Sequence, residues 1–296
     1  MSKLLRKILN AITATFLIFF ILLFGLLPFG FIYKLSDFVA WVLRRIFKYR
    51  LSVIEENLSK SDLNINDSEK KKLITGIYQN LADILLESLK SFTMGRKSII
   101  KRHKVLNPEI AQPYFEKQQS IILVTGHIGN WEWGSLSAGL QTPYHILGFY
   151  KKIKNPFVDS FLRWSRSRFG TTLASIRETS LSFQRQSGIP TLFLMAADQN
   201  PTKKALAHKV WFLGRDTAFL HGPEKHAKIN QFPVVFAEIE RVKRGYYELT
   251  LSVLVEDPKS YSDGEITQLY AQKLEAFIRK NPSQWLWSHK RWKHSF

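Results

Sequence analysis

Hydrophobic and polar residues divide the chain into an apolar beginning, a helical region and a longer part in which strands and helices alternate. From Ile8 to Tyr33 no residue is charged, and residues 16–27 are almost all Phe, Leu and Ile. A bilayer span needs about 20 apolar residues, so this run predicts a membrane anchor. Lys3, Arg6 and Lys7 resemble the start of a signal peptide, but the run exceeds the about 7–15 apolar residues of one. We therefore favour a retained anchor over a cleaved segment.

The next region is predicted to be helical. Over residues 34–58 apolar residues recur near helical spacing, and the opposite face is basic. Directly after an anchor, such a helix is expected to lie in the membrane interface, although an ordinary surface helix has the same pattern. A polar break follows, and Asp67-Ser68 is predicted to cap a second helix over residues 69–94, which Gly95 ends.

From about residue 104 short apolar runs alternate with helical segments. A short strand is suggested at 105–107. Strands are predicted at 121–125, 144–149, 189–196, 233–240 and 247–255, and helices at 130–140, 156–169, 179–187, 222–230 and 266–279, with a loop before the helix at 222–230. This alternation predicts an α/β domain with a mixed, largely parallel sheet flanked by helices. The last two strands are expected to form an antiparallel hairpin. The predicted parts are an N-terminal membrane anchor (1–33), a basic amphipathic and helical region (34–103) and an α/β domain (104–296).

Composition narrows the classes of function. The 43 Lys and Arg residues against 24 Asp and Glu give a net charge of +19, which favours an anionic partner such as a membrane, an acidic protein or lipid, or a nucleic acid. The absence of cysteine excludes disulfides, thiolate metal sites and a cysteine nucleophile. No phosphate-binding glycine loop, dinucleotide fingerprint, zincin motif or serine-hydrolase elbow is present, so no cofactor is expected.

The stretch SIILVTGHIGNWEWG, residues 120–134, carries the most suggestive chemistry. It reads as a buried strand, a glycine-containing turn with His127, and a segment with Glu132 between two tryptophans. His127 can exchange a proton near neutral pH, and Glu132 can orient it if it lies in the first turn of the following helix. The pattern alone leaves open a catalytic base, a structural histidine or a metal ligand.

Several motifs together resemble the bacterial lipid A biosynthesis acyltransferase family, within the wider lysophospholipid acyltransferase superfamily. They occur in the family's order from the anchor to the C-terminus: TGHIGNWEWG, FYKKIKNPFVDSFL, SRSRFG, AADQNP, FLGRDTAFLHGPEKHAKINQFPVV and QWLWSHKRW. The resemblance implies a glycerol-phosphate acyltransferase-like sheet and transfer of a fatty acyl chain to a hydroxyl group.

The resemblance also assigns roles to individual residues. His127 is expected to be the catalytic base and Glu132 its acidic partner, with Asp198 as the alternative orienter or a contact to the acceptor. Arg168 matches an arginine that contacts acceptor phosphate or sugar, against the alternative of a solvated surface charge. The family's tyrosine-arginine pair is Tyr150-Lys151 here, which keeps the charge but loses the bidentate guanidinium, and Lys152 could share that role. No metal is expected, and His208, His221 and His226 are interpreted as structural.

By resemblance, the acyl donor is expected to be the thioester of acyl carrier protein. The basic segment 151–168 is a candidate surface for that acidic carrier or for lipid phosphate, or simply a solvated helix face. The acceptor is expected to be an anionic glycolipid, a lipid A precursor, and the enzyme is expected at the cytoplasmic face of the bacterial inner membrane. Two alternatives stay open: the same chemistry on an aminolipid, a lysophospholipid or a phosphoinositide mannoside, and a basic membrane-surface scaffold without activity. Nucleic acid is not expected as a partner.

The tail WLWSHKRWKHSF interleaves tryptophans with basic residues. In an anchored chain this pattern fits an interfacial aromatic belt, while packing of Trp285 and Trp287 against the core is an equally good interpretation.

Overall fold

The computed structural model describes residues 2–184 and 188–293. Its α-helices are α1 Lys3–Gly25, α2 Phe29–Arg45, α3 Leu51–Lys60, α4 Asp67–Ser91, α5 Arg96–Arg102, α6 Gln112–Glu116, α7 Trp131–Gln141, α8 Pro156–Ser167, α9 Thr179–Gln184, α10 Gly222–Asn230 and α11 Glu265–Lys280. Its strands are β1 His103–Val105, β2 Ile121–Thr125, β3 His145–Tyr150, β4 Thr171–Ser175, β5 Thr191–Ala196, β6 Ala207–Phe212, β7 Arg215–Leu220, β8 Val234–Lys243 and β9 Tyr246–Val255.

Seven strands form the central sheet in the order β1-β9-β8-β2-β5-β3-β4. The run from β8 to β4 is parallel, β9 pairs antiparallel with β8, and β1 pairs parallel with β9. The predicted mixed, largely parallel sheet and the terminal hairpin are therefore confirmed. All five residues of β2 are buried, as expected for a continuous apolar strand between two neighbours with helices on both faces.

The parallel direction of β2, β5 and β3 decides where polar residues gather. The carboxyl ends of these three adjacent strands lie at the same edge of the sheet. His127 follows β2, Asp198 follows β5 and Lys151 follows β3. Residues far apart in sequence are therefore brought to one edge, the usual location of binding sites in open parallel sheets.

Helix α1 is long and apolar enough to cross a membrane, and most of its apolar side chains are exposed. One side of the helix nevertheless packs on the protein, where Ala14, Ile21 and Phe24 are buried. Near its start, the Asn155 side chain donates a hydrogen bond of 2.9 Å to the carbonyl oxygen of Asn10. Helix α1 is thus attached to the loop that precedes α8.

Several element boundaries differ from the predictions. The predicted helix over residues 34–58 is two helices, because Lys48 and Arg50 between α2 and α3 have positive φ angles of 44° and 52°. Helix α4 is capped one residue earlier than expected: the Asn66 side chain accepts from the amide of Glu69, whose carboxylate accepts from the amide of Asn66. Gly95 precedes α5 instead of ending α4.

Three short elements were not predicted or were placed differently. Strand β4 at the sheet edge was not predicted, and the β6–β7 hairpin occupies a stretch interpreted as a loop. Strand β1 begins two residues before the short strand suggested by sequence. The predicted helix at 179–187 is seen as α9, while its residues 185–187 lie outside the described part of the chain.

Gly139 permits a close crossing between α7 and the segment leading into β4. A Cβ atom at this position would overlap the carbonyl oxygen of Phe169, whereas one at Gly30 in α2 would meet no atom within 4 Å. We expect Gly139→Ala to lower the free energy of unfolding by about 1–3 kcal/mol through overpacking. Gly30→Ala is the matched control and should leave stability unchanged or raise it by up to about 1 kcal/mol. Denaturant unfolding in detergent measures both, and equal stability of the two variants would contradict this packing.

Candidate active site

A histidine and a buried aspartate meet at the carboxyl edge of the sheet. His127 lies in the turn between β2 and α7, and Asp198 lies two residues after β5. The ring Nδ1 of His127 is 2.5 Å from Oδ1 of Asp198, and the backbone amide of His127 donates to Oδ2 over 2.9 Å. Because a carboxylate only accepts hydrogen bonds, Nδ1 carries the proton and Nε2 keeps a lone pair.

The other ring nitrogen of His127, Nε2, lies beside a side-chain amide. The side-chain nitrogen of Gln199 lies 3.2 Å from it, and the ring edge packs on Trp131 with centroids 5.1 Å apart. The imidazole side chain keeps 17% of its surface exposed, against 3% for Asp198. A histidine in this arrangement, with its orienting carboxylate buried behind it, can act as a general base.

His127 and Asp198 each shift the pKa of the other. Burial favours the neutral imidazole, but the charge and hydrogen bond of Asp198, with a smaller contribution from Glu132, outweigh it and raise the pKa of His127 above its ordinary value. Burial also disfavours the Asp198 carboxylate, but His127 and a tryptophan N–H outweigh that effect and hold the pKa of Asp198 well below its usual range. Asp198 is therefore ionised at neutral pH.

The C-terminal segment holds the aspartate from the other side. The indole Nε1 of Trp285 donates to Oδ2 of Asp198 over 2.8 Å, and the backbone amide of Asn200 donates to Nε2 of His289 over 2.9 Å. Trp285, Trp287 and Trp292 are all buried. Of the two interpretations of this tail, the structure supports core packing and not an interfacial belt.

Glu132 does not make the hydrogen bond to His127 that its position in sequence suggested. It lies in the first turn of α7, as required for that pairing, but its carboxylate binds Arg166 of α8 through a bidentate contact with N–O distances of 2.8 and 2.9 Å. In the described residues the side-chain partner of His127 Nδ1 is Asp198. Whether Glu132 takes part in the reaction stays a prediction.

Lys151 and Lys152 extend from the end of β3 at the same edge as His127. Both are exposed, and neither ammonium forms an ion pair or hydrogen bond within residues 2–184 and 188–293. Their backbone is fixed by the buried Asp159, which accepts from the Ile153 amide over 2.8 Å and the Tyr150 hydroxyl over 3.2 Å. Two cations on a fixed loop are therefore available to an anionic ligand.

Arg168 is used differently from the two lysines. Its guanidinium donates to the carbonyl oxygens of Ser91 and Phe92 at the end of α4, and it lies 4.6 Å from the ring centre of Phe169. Burial lowers its pKa. These contacts favour a structural role, and its contact with acceptor phosphate stays a prediction.

A comparison with protein-family models places this geometry in context. The model described as bacterial lipid A biosynthesis acyltransferase matches residues 2–294. The chain belongs to this family. Membership supports lipid A acyltransferase activity and a part in lipopolysaccharide biosynthesis in general terms, and the family is membrane-associated in bacteria. A search of curated proteins found no match.

Sequence reasoning missed three residues that support this site, two near the histidine and one beside the loop that carries Lys151 and Lys152. Gln199, beside Nε2, lies inside the AADQNP motif but was given no role. Trp285 was interpreted only as a packing or membrane residue, and Asp159, the lone acid of the basic segment 151–168, was given no role. The signal available for all three was their place inside family-specific motifs, since their contacts depend on tertiary structure.

The His127–Asp198 contact generates a prediction that needs no substrate. Replacing Asp198 with asparagine removes the nearby negative charge, so the pKa of His127 should fall. Diethyl pyrocarbonate modifies the neutral imidazole, so its rate at His127, followed by peptide mass spectrometry, should reach half-maximum at a lower pH in Asp198→Asn. Glu132→Gln is the control and should shift the midpoint less. An unchanged or higher midpoint in Asp198→Asn would contradict the assignment.

Proposed function

We propose that this lipid A acyltransferase moves a fatty acyl chain from the thioester of acyl carrier protein to a hydroxyl group of a lipid A precursor, with His127 as general base. The observation that carries the proposal is the His127–Asp198 pair, in which Nδ1 donates to the carboxylate and Nε2, beside the Gln199 amide, keeps the lone pair that can accept a proton. Family membership supports the substrate class.

The reaction needs no nucleophile from the enzyme. Nε2 of His127 takes the proton of the acceptor hydroxyl, and the oxygen attacks the thioester carbonyl carbon. Collapse of the tetrahedral intermediate breaks the C–S bond, and the carrier thiolate leaves and receives the proton from the imidazolium. Asp198 stabilises the imidazolium while it exists, and general-base assistance of this kind contributes about 10²–10⁴ in rate. No cofactor is required.

The negative charge that develops on the thioester carbonyl oxygen needs a hydrogen-bond donor from the same edge of the sheet as His127. The amides of His127 and Gly129 already donate to Asp198 and to the carbonyl oxygen of Gln284. We therefore favour a side chain for this task over the amides of the turn, and the Gln199 amide and Lys151 are the available donors. Lys152 and Lys151 would also attract the phosphate of the acceptor, and the basic segment 151–168 would attract the acidic carrier.

The position of α1 supports catalysis at a membrane surface. Through Asn155, the loop preceding α8 is hydrogen-bonded to α1, so the apolar helix lies next to the helix that also binds Glu132. An anchor at this position would bring a lipid acceptor to the sheet edge. We infer that the enzyme acts at the cytoplasmic face of the inner membrane.

His127→Ala is expected to lower kcat by at least about 10²–10⁴ because the general base is lost. The assay follows acyl transfer from acyl carrier protein to a lipid A precursor by mass spectrometry, using purified enzyme in detergent. His145→Ala is the matched control: this histidine lies at the opposite end of β3, hydrogen-bonded to Thr172, and its variant should stay active. Wild-type rates in a folded His127→Ala enzyme would contradict the proposal.

The acceptor is tested separately with a panel of lipids. The proposal predicts transfer to a lipid A precursor in preference to an aminolipid, a lysophospholipid or a phosphoinositide mannoside, and a deletion strain should lose one acyl chain from lipid A. Preference for another lipid in both measurements would retain the chemistry and overturn the acceptor. Salt-sensitive binding to anionic vesicles without any transfer, unchanged in His127→Ala, would instead support the scaffold alternative.

A further inference from the structure

A second buried carboxyl group lies beneath the turn that carries His127. Glu87 belongs to α4, and its side chain is fully shielded from solvent. It is not part of the His127–Asp198 pair, and no sequence motif pointed to it. A buried carboxyl group is costly unless donors surround it, so its partners indicate why it is there.

Three side chains from three different elements donate to Glu87. Oε1 accepts from the hydroxyl of Tyr33 on α2 over 2.9 Å. Oε2 accepts from the hydroxyl of Tyr247 on β9 and from Nδ2 of Asn130, each over 2.7 Å. In addition, its backbone carbonyl oxygen accepts from the indole of Trp133 over 3.0 Å. Two of these four contacts therefore reach the start of α7.

Asn130 connects the buried carboxyl group to the catalytic turn. It lies three residues after His127, and its Oδ1 accepts from the amide of Trp133 over 3.0 Å, which caps α7. Its Nδ2 can only donate, and Glu87 supplies the acceptor. The Glu87 contact thus fixes which way the amide points, so that its oxygen faces the helix and its nitrogen faces α4.

We propose that Glu87 is a positioning residue of the acyl-transfer reaction, acting through Asn130 to hold the His127 turn in register with α7. The inference rests on the proposed function of His127. The turn contains Gly126 and Gly129, the latter with a φ angle of 53°, so its own backbone limits the position of His127 weakly. External hydrogen bonds must provide that restraint.

Glu87 can act as a positioning residue whether its carboxyl group is ionised or protonated. Burial raises its pKa to about 7, the three donors act in the opposite direction, and Asp83 adds to the rise. Arg102 faces Tyr33, and Arg241 faces Tyr247. Whether or not the carboxyl group is protonated, one oxygen can accept from Asn130 while a tyrosine hydroxyl reorients.

The hydrogen bond between Asn130 and Glu87 is tested by exchanging which of the two side chains donates and which accepts. In Asn130→Asp the new carboxylate still caps α7, but its second oxygen faces Glu87, so two acceptors meet wherever Glu87 is ionised; the assay is therefore run above pH 7. We expect kcat to fall about 10- to 100-fold through misplacement of His127, with KM for the carrier donor nearly unchanged. In the double variant Glu87→Gln with Asn130→Asp, the glutamine amide donates to the aspartate, and kcat should recover most of the loss.

Two further variants complete the experiment. Tyr33→Phe removes a hydrogen bond to the same carboxyl group without touching Asn130, so Tm should fall while kcat is kept. Asn130→Ser keeps a capping oxygen and loses the donor to Glu87; it should also lower kcat, and it replaces Asn130→Asp if that variant does not fold. All rates are normalised to folded enzyme measured by circular dichroism.

The proposal is overturned if the folded Asn130 variants keep wild-type kcat, or if the folded double variant recovers none of the loss. It is equally overturned if Tyr33→Phe lowers kcat as much as Asn130→Asp does, since the effect would then follow stability alone. His127→Ala in the same assay separates the two proposals. An active His127→Ala enzyme removes the proposed function, whereas an inactive one beside fully active Asn130 variants removes only the role of Glu87.

Discussion

The site depends on keeping one buried carboxylate ionised. Asp198 is 3% exposed, and removing its charge from water is expensive unless hydrogen bonds and an opposite charge replace the solvent. Three donors do so: the ring and the backbone amide of His127, and the indole of Trp285. Because Asp198 follows β5 while its donors come from the end of β2 and from the C-terminal segment, the carboxylate requires the sheet edge and the tail to be assembled together.

The N-terminal helices also take part in this assembly. The Asn57 side chain of α3 donates to the carbonyl oxygens of Trp287 and His289 over 2.8 and 2.7 Å, so it supports the segment that holds Asp198. Asp83 on α4 binds Arg241 and Arg244 of the β8–β9 hairpin region. The helical region and the α/β domain, which the sequence pattern separates near residue 103, are therefore joined by polar contacts.

The features predicted correctly from the sequence are those that depend on residues close together in the chain. The apolar run of β2, the hairpin of β8 and β9 and the turn carrying His127 follow from periodicity and glycine placement, and the structure has all three. The partner of His127 could not be obtained in this way, because Asp198 lies 71 residues further along the chain and meets it only through the pairing of β2 with β5. Nearness in sequence favoured Glu132, yet α8 supplies Arg166 to that carboxylate, a contact without any local signal.

The two carboxylates beside His127 are thereby given different environments. Asp198 is buried, accepts a hydrogen bond from Nδ1–H and so fixes which ring nitrogen keeps its lone pair. Glu132 is 28% exposed, is neutralised by Arg166, and adds only a smaller electrostatic contribution to the histidine. A second buried, unpaired carboxylate at this distance would raise the pKa of His127 further and make the imidazole a poorer base at neutral pH. The ion pair with Arg166 therefore keeps an acidic residue at this sheet edge while Asp198 contributes the larger electrostatic effect on the pKa of His127.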